Sequence, residues 1–291
     1  MDQRLIDVLA LLELEPLEVN LFRGDSRDIG SPQVFGGQVL GQALVAAYRT
    51  VSDRACHSLH AYFLRRGDFD APIIYQVDRS RDGHSFSNRR VVAIQHGEQI
   101  FHMSCSFQLS EPGMDHSARM PDVPPPEQLR DFRSYHEEIL EVLPEKVRRF
   151  FEHHRPFEFR PVRMPNYLSP EPLPPAKQVW FRTVDHIVSD EDWLHRCLLA
   201  YVSDYNLLDT ATLPHAASLA HLQMASIDHA MWFHRPFRAD EWLLYSVDSP
   251  SASGARGFAR GSIYARDGRL VASTAQEGLI RQRDAGPRRP R

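Results

Sequence analysis

An internal duplication constrains what this chain can fold into more than any other feature. His60-Ala61-Tyr62-Phe63 echoes His229-Ala230-Met231-Trp232, and Arg66 echoes Arg235, at an offset of 169 residues. Tyr75-Gln76-Val77-Asp78 echoes Tyr245-Ser246-Val247-Asp248 at 170, and Gly83, Arg89 and Gly97 echo Gly254, Arg260 and Gly268 at 171. Chance among common strand residues explains one such match more easily than three in the same order. The length, 291 residues, is what two domains need.

Each copy reads as one helix followed by several strands. In the first copy the helix runs from Gly36 to about Val51, apolar at Val39, Leu40, Ala43, Leu44 and Ala47. In the second it runs from Asp190 to Asp209, with Ser189 and Asp192 at capping-box spacing. Ile73-Ile74-Tyr75-Gln76-Val77 and Leu243-Leu244-Tyr245-Ser246-Val247 are rich in strand formers. Gln95-His96-Gly97-Glu98 and Arg266-Asp267-Gly268-Arg269 read as hairpin turns. A helix wrapped by a strongly bent antiparallel sheet is an α+β layout.

The segment from Pro121 to Pro175 holds 12 of the 21 prolines, so it reads as an ordered, non-catalytic connector with a helical piece from about Glu127 to His153. The expected organisation is an N-terminal domain over 1–112, a proline-rich connector over 113–175, a C-terminal domain over 176–283 that carries the chemistry, and a basic tail over 284–291 that frays.

A net charge of −4 makes the whole chain a poor partner for nucleic acid. Arg65-Arg66 and Arg89-Arg90 are local basic patches suited to the phosphates of a small molecule. Cys56, Cys105 and Cys197 are odd in number and far apart, which points to a reducing, cytoplasmic compartment rather than a disulfide framework. Neither a signal peptide, nor a membrane-spanning apolar run, nor a C-terminal Ser-Lys-Leu address is evident.

The chain lacks GxSxG, Walker, GxGxxG and HExxH patterns, and its 15 histidines are scattered without ligand spacing. Three polar residues stand out instead. Asp204 follows the helical face of Trp193, Cys197, Tyr201 and Leu208. A carboxylate among apolar neighbours is either paired structurally or poised as a base, and the pattern leaves both open. Ser226 and Gln276 interrupt strand-like stretches, where a single polar residue more often just faces outward.

Five stretches carry a resemblance to a known family: VFGGQVLGQAL (34–44), GHSFSNRRVVAIQHGEQIF (83–101), ASIDHAMWFHRPF (225–237), EWLLYSVDSPSASGARGF (241–258) and LVASTAQEGLIR (270–281). From about Leu5 to Arg281 the chain resembles acyl-CoA thioesterase II, the double-hotdog thioesterases of bacteria and peroxisomes. The resemblance implies an α+β double hotdog with one competent site per chain. It implies hydrolysis of fatty acyl-CoA to free acid and CoA, by a water held between an aspartate, a threonine or serine, and a glutamine. Asp204, Ser226 and Gln276 match those positions, with serine where the family often has threonine. The first copy has no matching aspartate and offers Gly36-Gly37-Gln38 at its helix start, where backbone N–H groups suit an oxyanion or CoA. A thiol leaving group with a pKa of about 8.5 departs without much acid help. No cofactor and no metal is called for, CoA being a product. The family also suggests a homo-oligomer of double hotdogs.

Two rival readings remain in view. A hotdog hydratase would use an Asp/His pair, and Asp190 with His195 has a suitable gap, but its glycine-rich and Asn-Pro context is absent. A non-catalytic acyl-CoA-binding protein would have no need of all three polar residues together. Acyl chain length is not legible, because it depends on side chains from several strands.

Overall fold

The computed structural model describes residues 1–282, apart from 31–32, 144, 146–147, 149–152, 154, 165, 167 and 219–220. The expected tail, 284–291, lies outside the described residues. The chain opens with α1 (Gln3–Leu12), capped by Asp2, whose side chain accepts from Arg4 N, and buried along Leu5, Val8, Leu11 and Leu12. The small-residue run GGQVLGQALVAAY forms α2 (Gly36–Tyr48), buried from Gly37 to Ala47. A short helix, α3 (Phe132–Ile139), falls in the connector, and α4 (Asp192–Ser203) is buried from His195 to Ser203. Helices apolar on all sides must be enclosed. Here α2 and α4 pack on each other through glycine, with Gly37 against the carbonyl of Tyr201 and Gly41 near that of Cys197. One continuous core joins residues of both halves around this contact.

The enclosure is a single antiparallel sheet of 13 strands among the described residues. The first half supplies β1 (Glu15–Glu18), β2 (Leu21–Gly24), β3 (Ala55–Phe63), β4 (Ile73–Asp82), β5 (Phe86–Gln95) and β6 (Glu98–Gln108). The second supplies β7 (Phe157–Pro161), β8 (Ala176–Thr183), β9 (Leu222–Ser226), β10 (Asp228–Phe233), β11 (Leu243–Ser253), β12 (Arg256–Ala265) and β13 (Leu270–Gln282). Their order is β1-β2-β4-β5-β6-β3-β10-β13-β12-β11-β8-β7, with β9 added to β13. Apart from β9 the order reads alike from either end, so the seam between β3 and β10 relates two copies of one unit. This is the α+β double hotdog expected from the sequence.

The copies correspond in a register that partly corrects the sequence echoes. Tyr75 lies opposite Ala93 as Tyr245 lies opposite Ile263, and Asp78 opposite Arg90 as Asp248 opposite Arg260. The offset through these strands is therefore 170, and Arg260 corresponds to Arg90 rather than Arg89. Arg65 and not Arg66 is the counterpart of Arg235: Nη1 of Arg65 donates to the Gln99 carbonyl, and Nη1 of Arg235 to that of Leu270. Across the seam, Ala61 faces His229 and Leu59 faces Met231. Exchanging the strands with their faces kept equates Leu59 with His229, so the echo of His60 by His229 is a slip of one residue. In a strand such a slip reverses the face: His60 is exposed while His229 is buried. The offset becomes 171 past the β5–β6 turn, where Gln95 pairs with Glu98 but Ala265 N reaches Arg269 O. Gly97 and Gly268, at φ 76° and 91°, are true counterparts in those turns.

Several further expectations change. The second helix stops at Ser203, because Asp204 caps it and Asn206 turns the chain at φ 63°. Its first turn has no capping box: Ser189 Oγ accepts from Glu191 N instead. The helical piece expected over 127–153 begins as a 3-10 turn at Pro126–Gln128, breaks at extended Leu129, and resumes as α3, whose cap is Asp131; part of the remainder lies outside the described residues. The connector also supplies β7, which pairs with β8 and extends the sheet. Of the basic patches, Arg89 is turned inward onto Asp82 and Thr50 and is unavailable to a phosphate.

Candidate active site

The two halves differ most between helix and following strand. In the first, 6 residues (49–54) connect α2 to β3; in the second, 24 residues (204–227) connect α4 to β10. That longer connection carries Asp204, a 3-10 segment over Leu208–His215, and β9. It folds back and pairs antiparallel along the edge of β13 past β10, with Ser226 opposite Gly278. Gln276 points inward on the same strand and is fully buried. Asp228 holds this part of β13 from the side, its Oδ1 accepting from Glu277 N at 2.6 Å, and burial pushes the Asp228 carboxyl above its usual range.

The three residues singled out from the sequence meet here. Gln276 Nε2 donates to Asp204 Oδ1 at 2.7 Å and to Ser226 Oγ at 2.9 Å. Ser226 Oγ donates in turn to Asp204 Oδ1 at 3.2 Å. Gln276 Oε1 is buried and has no hydrogen-bond partner among the described residues. A buried amide oxygen without a partner costs free energy, so its persistence at a polar cluster points to use.

The first half contributes as well. Gly37 N donates to Asp204 Oδ2 at 3.0 Å, and a Cβ on Gly36 would stand 2.7 Å from the same oxygen. The carboxylate sits at the C-terminal, electronegative end of α4, which alone disfavours an anion. The N-terminal end of α2 meets it and offsets this. Gln38 does not share the site. Its N–H bonds Phe35 O, and its side chain turns to Asp25 O and Arg27 N. Sequence reasoning placed Gly36 and Gly37 near substrate but missed the direct hold of Gly37 on Asp204; the glycine pair at a helix start was the available signal.

Leu208, expected on the face of the second helix, lies beyond that helix and rests on Gly278, where an added Cβ would stand 2.3 Å from its Cδ2. Past it a cavity of about 210 Å³ is lined by Ala211, Leu222 and Ile280, among others. Gln276, Gly278 and Ile280 alternate along β13, and Ser226 and Leu222 end β9. Site and cavity thus stand about 13 Å apart along one strand pair, at about 3.3 Å per residue.

The Asp/His pair of the rival hydratase reading is occupied elsewhere. Asp190 is exposed and pairs with Arg238. His195 is buried, Nδ1 accepting from Ala239 N at 3.1 Å and Nε2 lying 3.2 Å from Ser189 O. Among the described residues no group of three or more His, Cys, Asp or Glu side chains is placed to hold a metal ion, and no helix is long and apolar enough to cross a membrane.

Residues 146–279 match the family model described as acyl-CoA thioesterase, and residues 23–108 match that of the acyl-CoA thioesterase N-terminal domain. The chain is 43% identical to acyl-coenzyme A thioesterase 8 of Homo sapiens, covering 96% of this chain and 90% of that protein. It is also 43% identical to acyl-CoA thioesterase 2 of Haemophilus influenzae, covering 97% and 99%. Among solved structures, an acyl-CoA thioesterase II, TesB2, from Mycobacterium marinum superposes with a TM-score of 0.79 at 44% identity, covering 96% of this chain and 100% of that one.

Proposed function

The chain belongs to the acyl-CoA thioesterase family, whose reaction is hydrolysis of an acyl-CoA thioester, and we propose that it works by direct attack of a water held by Asp204, Ser226 and Gln276. One observation carries the reading: Ser226 of β9 and Gln276 of β13 converge on the carboxylate of Asp204, which caps α4, beside a buried glutamine oxygen without a donor among the described residues. Ionised Asp204 takes a proton from the water as it adds to the thioester carbon. Gln276 Oε1 accepts the water's other hydrogen, and Ser226 turns its hydroxyl from the carboxylate to donate to the water's oxygen. The tetrahedral adduct then collapses, the carbon–sulfur bond breaks, and the CoA thiolate recovers the proton from Asp204.

Gly36 leaves the start of α2 without a side chain beside the Asp204 carboxylate, so the reacting carbonyl can approach there, while Gly37 lets α2 and α4 close on each other. The positive end of that helix serves the carboxylate first and the oxyanion as charge moves to it. Gln38 supports the loop before the helix rather than the substrate. The substrate is a fatty acyl-CoA, and the apolar cavity beyond Leu208 accommodates the far end of its chain. We take 1–112 and 176–283 as the two hotdog domains and 113–175 as the connector. We also take the working form as a homo-oligomer in the cytoplasm, where three buried free thiols stay reduced.

Thiol release from acyl-CoAs of several chain lengths tests the reading, with the parent beside Asp204→Asn. The expected result is loss of about 100- to 10,000-fold in kcat. Undiminished release by the variant would sink the assignment of the base. A folded parent that binds CoA but releases no thiol would favour the binding-protein alternative.

A further inference from the structure

The motif Ile227-Asp228-His229 contributes a side chain that the mechanism above does not use. His229 is 1% exposed on the inward face of β10, beneath the end of α4. Its Nε2 lies 3.0 Å from Ser203 Oγ. Ser203 has a single hydroxyl hydrogen and gives it to Ala200 O at 2.9 Å. Its oxygen therefore accepts, and His229 carries its proton on Nε2. Nδ1 is left as a buried lone pair with no hydrogen-bond partner among the described residues. Burial also holds the imidazole neutral, lowering its pKa from the ordinary range, with Asp204 acting in the opposite sense.

Ser203 immediately precedes Asp204 and is held at a second point. Tyr245 Oη donates to the Ser203 carbonyl at 3.1 Å and meets Thr274 Oγ1 at 2.8 Å. Two strands thus grip the residue before the carboxylate. The other half shows that the fold itself does not require the histidine. Its counterpart in the matching register is Leu59, fully buried and apolar. A buried imidazole with one unpartnered nitrogen is costly where leucine serves, and it occurs in the half that carries the carboxylate.

We infer that His229 is a positioning residue for Asp204: through Ser203 it fixes the last turn of α4, so that the carboxylate stands under Gly37, Ser226 and Gln276. The inference rests on the reading of Asp204 as the base.

The test measures kcat and KM for thiol release from one acyl-CoA with His229→Leu, His229→Gln, Ser203→Ala and Asp204→Asn, together with His229→Leu in the Asp204→Asn background. A carboxylate displaced by about 1 Å costs up to about 100-fold, so His229→Leu should lower kcat by about 10- to 100-fold with KM within about twofold. Ser203→Ala, a smaller change that keeps the fold if the leucine variant does not, should reproduce that loss. The amide of His229→Gln can still donate to Ser203 and should restore most of the rate. In the Asp204→Asn background, His229→Leu should have no further effect, because its action passes through the carboxylate. Unchanged kcat in both His229→Leu and Ser203→Ala overturns the inference. So does a loss of the same size on top of Asp204→Asn, which marks a role in the fold alone. A fully active Asp204→Asn removes the underlying reading itself, a distinct result.

Discussion

Gly37→Ala isolates the contact on which the site depends. A Cβ at Gly37 would stand 2.1 Å from the Tyr201 carbonyl oxygen and 2.5 Å from the Phe35 ring. Carbon and carbonyl oxygen ordinarily meet at about 3.3 Å, so the shortfall is about 1.2 Å. The ring can swing away, but the carbonyl belongs to α4 and moves only with the helix. The two central helices must therefore part. Overpacking of a tight core costs about 1–3 kcal/mol, and a clash against backbone belongs at about 3 kcal/mol. For a chain of 291 residues that is a fall in Tm of about 6–9 °C, taking about 2–3 °C per kcal/mol. Activity should fall further than stability explains, because the same movement breaks the 3.0 Å bond from Gly37 N to Asp204. A hydrogen bond to a charged group contributes about 1.5–3 kcal/mol, which is about 10- to 100-fold in kcat below the melting range. The assay pairs thermal unfolding with thiol release at about 25 °C. Gly113→Ala is the control, since nothing lies within 4 Å of an added Cβ there. A Gly37→Ala variant with the parent's Tm and kcat would refute both the helix contact and the role of α2 in holding the base.

Two other predictions follow from buried groups. Cys56, Cys105 and Cys197 are enclosed, and burial pushes the Cys56 thiol up to about 12 and the other two well above their ordinary value. A chromogenic disulfide at about pH 8 should label none of them in the folded chain and all three in denaturant; fast native labelling of even one contradicts the packing described. His195 and His229 both have folded pKa values below 6.5, chiefly through burial. Below about 6.5 the unfolded chain takes up protons that the folded chain refuses, so stability is full above that pH and is lost as pH falls. Urea midpoints should hold between about pH 8 and 7 and decline by about pH 5.5, ahead of carboxylate titration; a midpoint that rises on acidification rules this out.

How much of this was legible depended on which physical signal each residue carries. The double hotdog showed through because Tyr75 and Tyr245, and the turns at Gly97 and Gly268, are fixed by backbone geometry and packing in both copies. Matching letters misled where the face decides: His60 and His229 share a name but lie on opposite sides of the sheet, and only the alternation of burial reveals Leu59 as the counterpart. The convergence of Asp204, Ser226 and Gln276 followed from the family resemblance, since no spacing along the chain announces that β9 folds onto β13. The helix end was overshot because Leu208 continues the apolar period, whereas the turn at Asn206 is a backbone event that periodicity does not record. β7 was hidden among prolines and, as an edge strand ending in Pro161, it is where a sheet tolerates one.

The bond from Gly37 to Asp204 crosses between the two copies, and this changes what dilution can do. Were the copies separate chains, the base would lose its helix partner whenever the pair dissociated, and activity would follow concentration. On one chain the partner is always supplied at the effective concentration set by the connector. Each copy is also free to vary alone, and the first carries leucine where the second carries histidine.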